Sequence, residues 1–110
     1  MTRRPNGETP ELRRLRRRID ALDRRIVALL NERADLGRAV GREKARLGRP
    51  SLRDLERERE VLLRVTMANL GPLPQSDLLA VYGRLISATR ALERRDRVVP
   101  VEPRVDRDGD

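Results

Sequence analysis

Between Pro10 and Leu47 the apolar residues Leu12, Leu15, Ile19, Leu22, Ile26, Leu29, Leu36 and Val40 recur at steps of three and four or their sum, the spacing of one face of an α-helix. After Pro10 no proline interrupts the run, and no glycine does so until Gly37. At about 1.5 Å per residue such a helix would extend on the order of 57 Å. A compact globule of this chain length has a radius of gyration of only about 13 Å. The seam therefore cannot be covered within one copy, and a second copy of the same chain is the simplest cover. One position breaks the pattern: the step after Leu29 lands on Arg33, a charge where the seam asks for an apolar side chain.

What can fill an interior is limited. Tyr82 is the single aromatic residue, 37% of the 110 residues are hydrophobic and 40% are charged, so the apolar material is leucine, isoleucine and valine. The β-branched and aromatic clusters that mark strands are missing, and the expected class is all-α. Without cysteine or histidine there is no disulfide framework, no thiolate metal site and no imidazole base. Any chemistry must rest on arginine, lysine and carboxylates. No apolar run reaches the length of a membrane span and no signal-peptide pattern follows Met1, which reads as a cytoplasmic chain. The net charge of +8 points to an anionic partner. Every one of the 26 basic residues but Lys44 is arginine, which singles that lysine out.

Taken in order, residues 1–8 are polar and hold Pro5 and Gly7, which reads as a disordered tail. Thr9-Pro10-Glu11 combines an N-cap, a proline at the first helical position and an acid in the first turn. Gly48 and Pro50 close that helix. Ser51-Leu52-Arg53-Asp54 fits a capping box opening a second helix to about Leu70. Gly71-Pro72-Leu73-Pro74 is a break, and a third helix is expected from about Pro74 to Arg95. From Asp96 the apolar period stops, so the domain is expected over 9–95, with a flexible tail over 96–110. Three helices, one much longer than the others, predict a bundle completed by a partner chain.

Polar residues on apolar seams are the informative ones, because an unpaired buried charge is strongly disfavoured. They are Arg33 and Lys44 on the first helix, Glu58 with Asp54 and Arg57 on the second, and Thr89 and Glu93 on the third. Cations, carboxylates and a hydroxyl turned to one interior would furnish a pocket for a small polyanion bearing hydroxyl groups. Each also has a plain structural role open to it. Arg33 can pair with Glu58 or lie along the seam with its head in water, and Asp54 can be the capping-box acid. Lys44 can favour the helix dipole, and Glu93 can be part of the charged end Glu93-Arg94-Arg95.

The segments Leu15-Arg16-Arg17-Arg18-Ile19-Asp20-Ala21-Leu22-Asp23, Leu29-Leu30-Asn31-Glu32-Arg33, Gly41-Arg42-Glu43-Lys44, Asp54-Leu55-Glu56-Arg57-Glu58 and Ile86-Ser87-Ala88-Thr89-Arg90-Ala91-Leu92-Glu93 together resemble the all-helical, type II chorismate mutases over roughly residues 12 to 93. The resemblance implies an intertwined homodimer of three-helix chains whose long first helices pair. It also implies the rearrangement of chorismate to prephenate in phenylalanine and tyrosine biosynthesis, with no metal and no cofactor. By resemblance, Arg33 of one chain and Arg16 of the other clamp the substrate carboxylates, with Arg57 assisting. Lys44 bonds the ether oxygen, Glu58 with Asp54 holds the ring hydroxyl, and Thr89 stands where the family often has serine. Glu93 stands where the best-known bacterial pattern has glutamine. A carboxylate cannot donate to the ether oxygen, so Glu93 is expected to act protonated, with activity falling as pH rises. The methyl that Thr89 adds is expected to crowd the site.

Other readings on the same fold are an isochorismate pyruvate lyase or an aminodeoxychorismate mutase. A different class is a non-catalytic helical dimer binding nucleic acid through its arginines. The lack of aromatic stacking residues and of a recognition-helix motif speaks against it. Some small members of the family depend on another enzyme of the shikimate pathway, which makes such an enzyme a candidate partner; neither nucleic acid nor a membrane is expected as one.

Overall fold

The computed structural model describes residues 7–50 and 53–98. Among them the chain forms three helices and no strand: α1 (Pro10–Arg46), α2 (Leu55–Ala68) and α3 (Gln75–Val98). It divides into two units, Met1–Arg33 and Ala34–Asp110, with α1 beginning in the first and ending in the second.

Both ends of α1 follow the local chemistry. Thr9 Oγ1 accepts a hydrogen bond from the Leu12 amide at 3.1 Å, and the Thr9 carbonyl accepts from Arg13 at 3.0 Å. Pro10 has no amide hydrogen to leave unpaired. At the far end Gly48 has φ +72°. Its amide donates to the Ala45 carbonyl at 3.0 Å, and that of Arg49 to Lys44 at 2.9 Å. This pair of bonds closes a helix through a left-handed residue.

The second helix opens later than the capping box predicts. Its first residue is Leu55, and Asp54 is itself the cap, its Oδ1 accepting from the Arg57 amide at 3.0 Å. Aspartate caps as well as serine does, so Asp54 can serve as cap itself; Ser51 lies outside the described residues. The helix stops at Ala68, short of Leu70, because Asn69 turns its side chain onto the break. The Asn69 amide group donates to Leu73 O at 3.1 Å and to Gln75 Oε1 at 2.8 Å, and its Oδ1 accepts from the Gly71 amide at 3.0 Å. The third helix continues past Arg95 to Val98. Asp96 does not end it, because its carboxylate is held by Arg38 of α1. Of the two expected tails, residues 1–6 and 99–110 lie outside the described residues.

In the second unit the half-buried apolar side chains of α2 and α3 are Val61, Leu62 and Val65 on α2 and Leu78, Leu79, Tyr82, Leu85, Ile86 and Leu92 on α3. Among the described residues Gly41 is the one fully buried position, and no apolar side chain is buried to that degree. In the first unit the α1 seam residues Leu15, Ile19, Leu22, Ile26 and Leu29 are 40–60% exposed. Among the described residues no helix is long and apolar enough to cross a membrane.

Candidate active site

Two turns of α3 rest on two glycines of α1. A Cβ placed on Gly41 would stand 2.9 Å from Glu93 Cγ and 3.0 Å from Glu93 Oε2, and one on Gly37 would overlap the Thr89 methyl. Gly37 and Gly41 are one helical turn apart, as are Thr89 and Glu93, so the two pairs meet in register. Glu93 is thus half-buried against backbone, not an exposed member of the charged helix end. The methyl of Thr89, expected to crowd the site, is received by Gly37. Its hydroxyl donates to the Leu85 carbonyl at 3.0 Å. A threonine bonded back to its own helix offers its oxygen as an acceptor, and must release that bond to donate elsewhere.

Glu58 sits on the first turns of α2 with its side chain 14% exposed. Its Oε1 accepts from Arg53 Nε at 3.0 Å, and its Oε2 lies 3.6 Å from Nε of Arg90, the residue after Thr89 on α3. The carboxylate therefore joins α2 to the same stretch of α3 that touches α1. Lys44 is half-buried in the last turn of α1, one turn beyond Gly41. The remaining expected residues are placed differently. Asp54 is occupied as a helix cap. Arg57 is exposed, with Nη1 on Glu60 Oε1 at 2.8 Å. Arg16 and Arg33 belong to the first unit; Arg16 is exposed and its Nη1 donates to Glu8 Oε1 at 2.8 Å, and Arg33 is half-buried.

Beside Gly41 the second unit opens a cavity of about 380 Å³, walled by Ala45, Glu93, Arg42, Arg97 and the Arg38–Asp96 pair. That pair is bidentate, with Arg38 Nε on Asp96 Oδ2 and Nη2 on Oδ1, both at 2.8 Å. The hydrogen bonds from Arg38 hold the Asp96 carboxyl below its ordinary value, helped by the charges of Arg38, Arg42 and Arg95 and against partial desolvation. Sequence reasoning did not find this pair, the two contact glycines or Arg90. The spacing Gly37-x-x-x-Gly41 was a usable signal for close helix approach; a single arginine in a chain rich in arginine offers none.

Three helices that gather carboxylates and cations around a glycine contact define an all-α domain with a charged site. A model of the family described as chorismate mutase type II matches residues 15–94, and the chain belongs to that family. Over 98 residues it is 37% identical to the bifunctional chorismate mutase/prephenate dehydratase of Aquifex aeolicus, a match covering 86% of this chain and 27% of that protein. The bifunctional protein of the same description from Stutzerimonas stutzeri is 35% identical, over 88% of this chain and 28% of its own length. The chain thus spans about a quarter of the curated relatives it matches. Among solved structures, the form II chorismate mutase of Thermus thermophilus superposes with a TM-score of 0.73 at 34% identity, covering 77% of this chain and 96% of that one.

Proposed function

We propose that this chain, as a homodimer, converts chorismate to prephenate by an intramolecular rearrangement in which the ether C–O bond breaks as a C–C bond forms. The observation that carries the reading is the seating of Thr89 and Glu93 on Gly37 and Gly41, with Glu58 tied alongside at Arg90, in a chain whose family match runs over all three helices. No atom enters or leaves, so no nucleophile, metal or co-reactant is required.

What the site must supply is conformational restraint on a flexible diacid and positive charge where the ether oxygen becomes negative. Arg33, with Arg16 of the second copy, would hold the two carboxylates and Arg57 would assist. Lys44 would face the ether oxygen, and Glu58 would accept the ring hydroxyl, with Asp54 free to take part only by giving up its cap. Thr89 would meet a carboxylate once its hydroxyl leaves Leu85. Glu93 would donate to the ether oxygen as the protonated acid. These contacts gain strength as charge develops, which is what accelerates a reaction rather than merely binding its substrate.

The exposed α1 seam supports the dimer, since contiguous apolar surface of that length calls for cover in water and a second copy of the chain can supply it. The relatives named above join chorismate mutase to prephenate dehydratase, and a dehydratase consuming the product is the candidate partner enzyme. The test is loss of chorismate absorbance with purified chain at pH 5 and pH 7.5, with the product identified. Conversion to prephenate is expected, with Arg33→Ala or Lys44→Ala lowering the rate by roughly 10²–10³-fold. Glu93→Gln is expected to give a flatter pH profile than the parent. Pyruvate release from isochorismate, or turnover of aminodeoxychorismate alone, would replace this reading.

A further inference from the structure

Arg90 lies on α3 beside the Glu58 carboxylate. Its side chain is 27% exposed, yet its Nε is fully buried and makes no hydrogen bond. A buried guanidinium N–H without an acceptor is unfavourable unless something nearby completes it. The nearest carboxylate oxygen recorded for it is Oε2 of Glu58, at 3.6 Å, a small side-chain adjustment away from the usual hydrogen-bond range of about 2.7–3.2 Å. The other oxygen of Glu58 is held by Arg53 at 3.0 Å, but the Arg53 side chain is 56% exposed and precedes α2, so water competes for it. Arg90 lies within α3, on the same turn as Thr89.

We infer that Arg90 is a positioning residue that fixes the Glu58 carboxylate from α3, its Nε–H closing onto Oε2 when the ring hydroxyl of the substrate is accepted by that carboxylate. This rests on the chorismate mutase reading above. An ionised carboxylate only accepts hydrogen bonds, so the two guanidiniums set the direction from which Glu58 receives the hydroxyl hydrogen. They also place two positive charges beside the substituent, which disfavours an ammonium group there and favours a neutral hydroxyl. The sequence signal for substrate choice is then an arginine on α3 as well as the acid on α2.

The experiment is a double-mutant cycle on the full chain, with Arg90→Met and Glu58→Gln singly and together. kcat and KM for chorismate are measured, and melting is followed by circular dichroism. Residues coupled through direct contact interact strongly enough to change rates by several-fold to about a hundredfold. Arg90→Met is expected to lower kcat/KM roughly tenfold or more in the parent and less than about twofold in the Glu58→Gln background. A merely structural arginine would lower the melting temperature and act alike in both backgrounds, and that additive result overturns the inference, as does an unchanged kcat/KM. If Arg90→Met does not fold, Arg90→Lys carries the same cycle, which keeps the charge but loses the planar fork; additivity there overturns the proposal equally. A parent chain that folds but leaves chorismate untouched overturns the functional reading and this inference with it. Turnover by the parent with an additive cycle overturns the role of Arg90 alone.

Discussion

Both units of the chain hold ion pairs between residues close in sequence, and the second adds pairs that cross between helices. In the first, the recorded ion pairs join residues close in sequence, Glu11 with Arg14 and Glu8 with Arg16, and the apolar seam stays about half exposed. In the second, Arg38 reaches Asp96 and Arg90 reaches Glu58 across helices, and glycine backbone on α1 receives side chains from α3. Local pairs form in any helix of suitable sequence, whereas the distant ones exist only in the fold. The second unit is therefore the part whose site geometry one copy can specify, and the exposed seam of the first is the surface the proposed dimer would use.

The largest expected effect strikes the first unit. Leu22 is 50% exposed, so Leu22→Asp would be nearly silent if this stretch were a solvated helix. As a seam residue it would bury an unpaired carboxylate, at a cost of several kcal/mol. The expected outcome is a shift from dimer to monomer in sedimentation equilibrium at micromolar concentration, with activity lost alongside. A dimer of unchanged affinity would break the comparison.

Next in size is the glycine contact of the second unit. Gly37→Ala gains up to about 1 kcal/mol of helix propensity but drives its Cβ into the Thr89 methyl. Overpacking of this kind costs about 1–3 kcal/mol, so urea denaturation should show net destabilisation. Thr89→Ser removes the methyl and should restore most of the loss in the Gly37→Ala background while changing little alone. Equal effects in both backgrounds would show that Gly37 and Thr89 do not touch.

Where adjacent residues offered a single solution, the local structure was legible in the sequence. The Thr9 cap, Pro10 at the first turn and the left-handed Gly48 are each decided by the backbone chemistry of a few positions, and all three stand where expected. The second helix start was misplaced because Ser51 and Asp54 are both competent caps and nothing local ranks them. The end of α3 was drawn too early because the apolar period stops at Asp96, while the residue that keeps Asp96 in the helix lies on α1. For the site, the positions of Glu58, Thr89 and Glu93 on inward faces followed from periodicity. Their partners did not: glycine reads as an interruption in a period, although here it makes contact possible. Arg90 became visible only once the fold left its Nε buried and unpaired beside Glu58.

Asp96 gives a smaller effect with a defined sign. Its carboxyl is held below the ordinary value by Arg38, so the pair contributes stability above the unfolded value near about 3.9. That contribution is lost as pH falls through the lower folded value. Asp96→Asn should lower the melting temperature at pH 7, and the gap to the parent should begin to narrow below about pH 4 and close only below the lowered folded value. Because the Arg38 and Asp96 side chains are only 28% and 13% exposed, raising the salt concentration should not remove the difference at pH 7.

The smallest effect is expected at Glu11, which makes the sharpest contrast with Asp96. The Glu11 carboxyl is also held low, mainly by its hydrogen bond from Arg14 and then by the charge of Arg18, so the sign of its linkage is the same. The difference is exposure: the Glu11 and Arg14 side chains are 63% and 50% exposed, and a surface pair gains little because water and salt compete for both partners. Glu11 also lies in the first turn of α1, where a negative charge favours the helix dipole, and that term too is screened. Glu11→Gln should therefore leave the melting temperature unchanged in moderate salt and lower it slightly in low salt. A loss as large as that of Asp96→Asn, persisting in high salt, would mean that Glu11 has a partner beyond its own helix, and the division between locally and distantly paired charges would have to be redrawn.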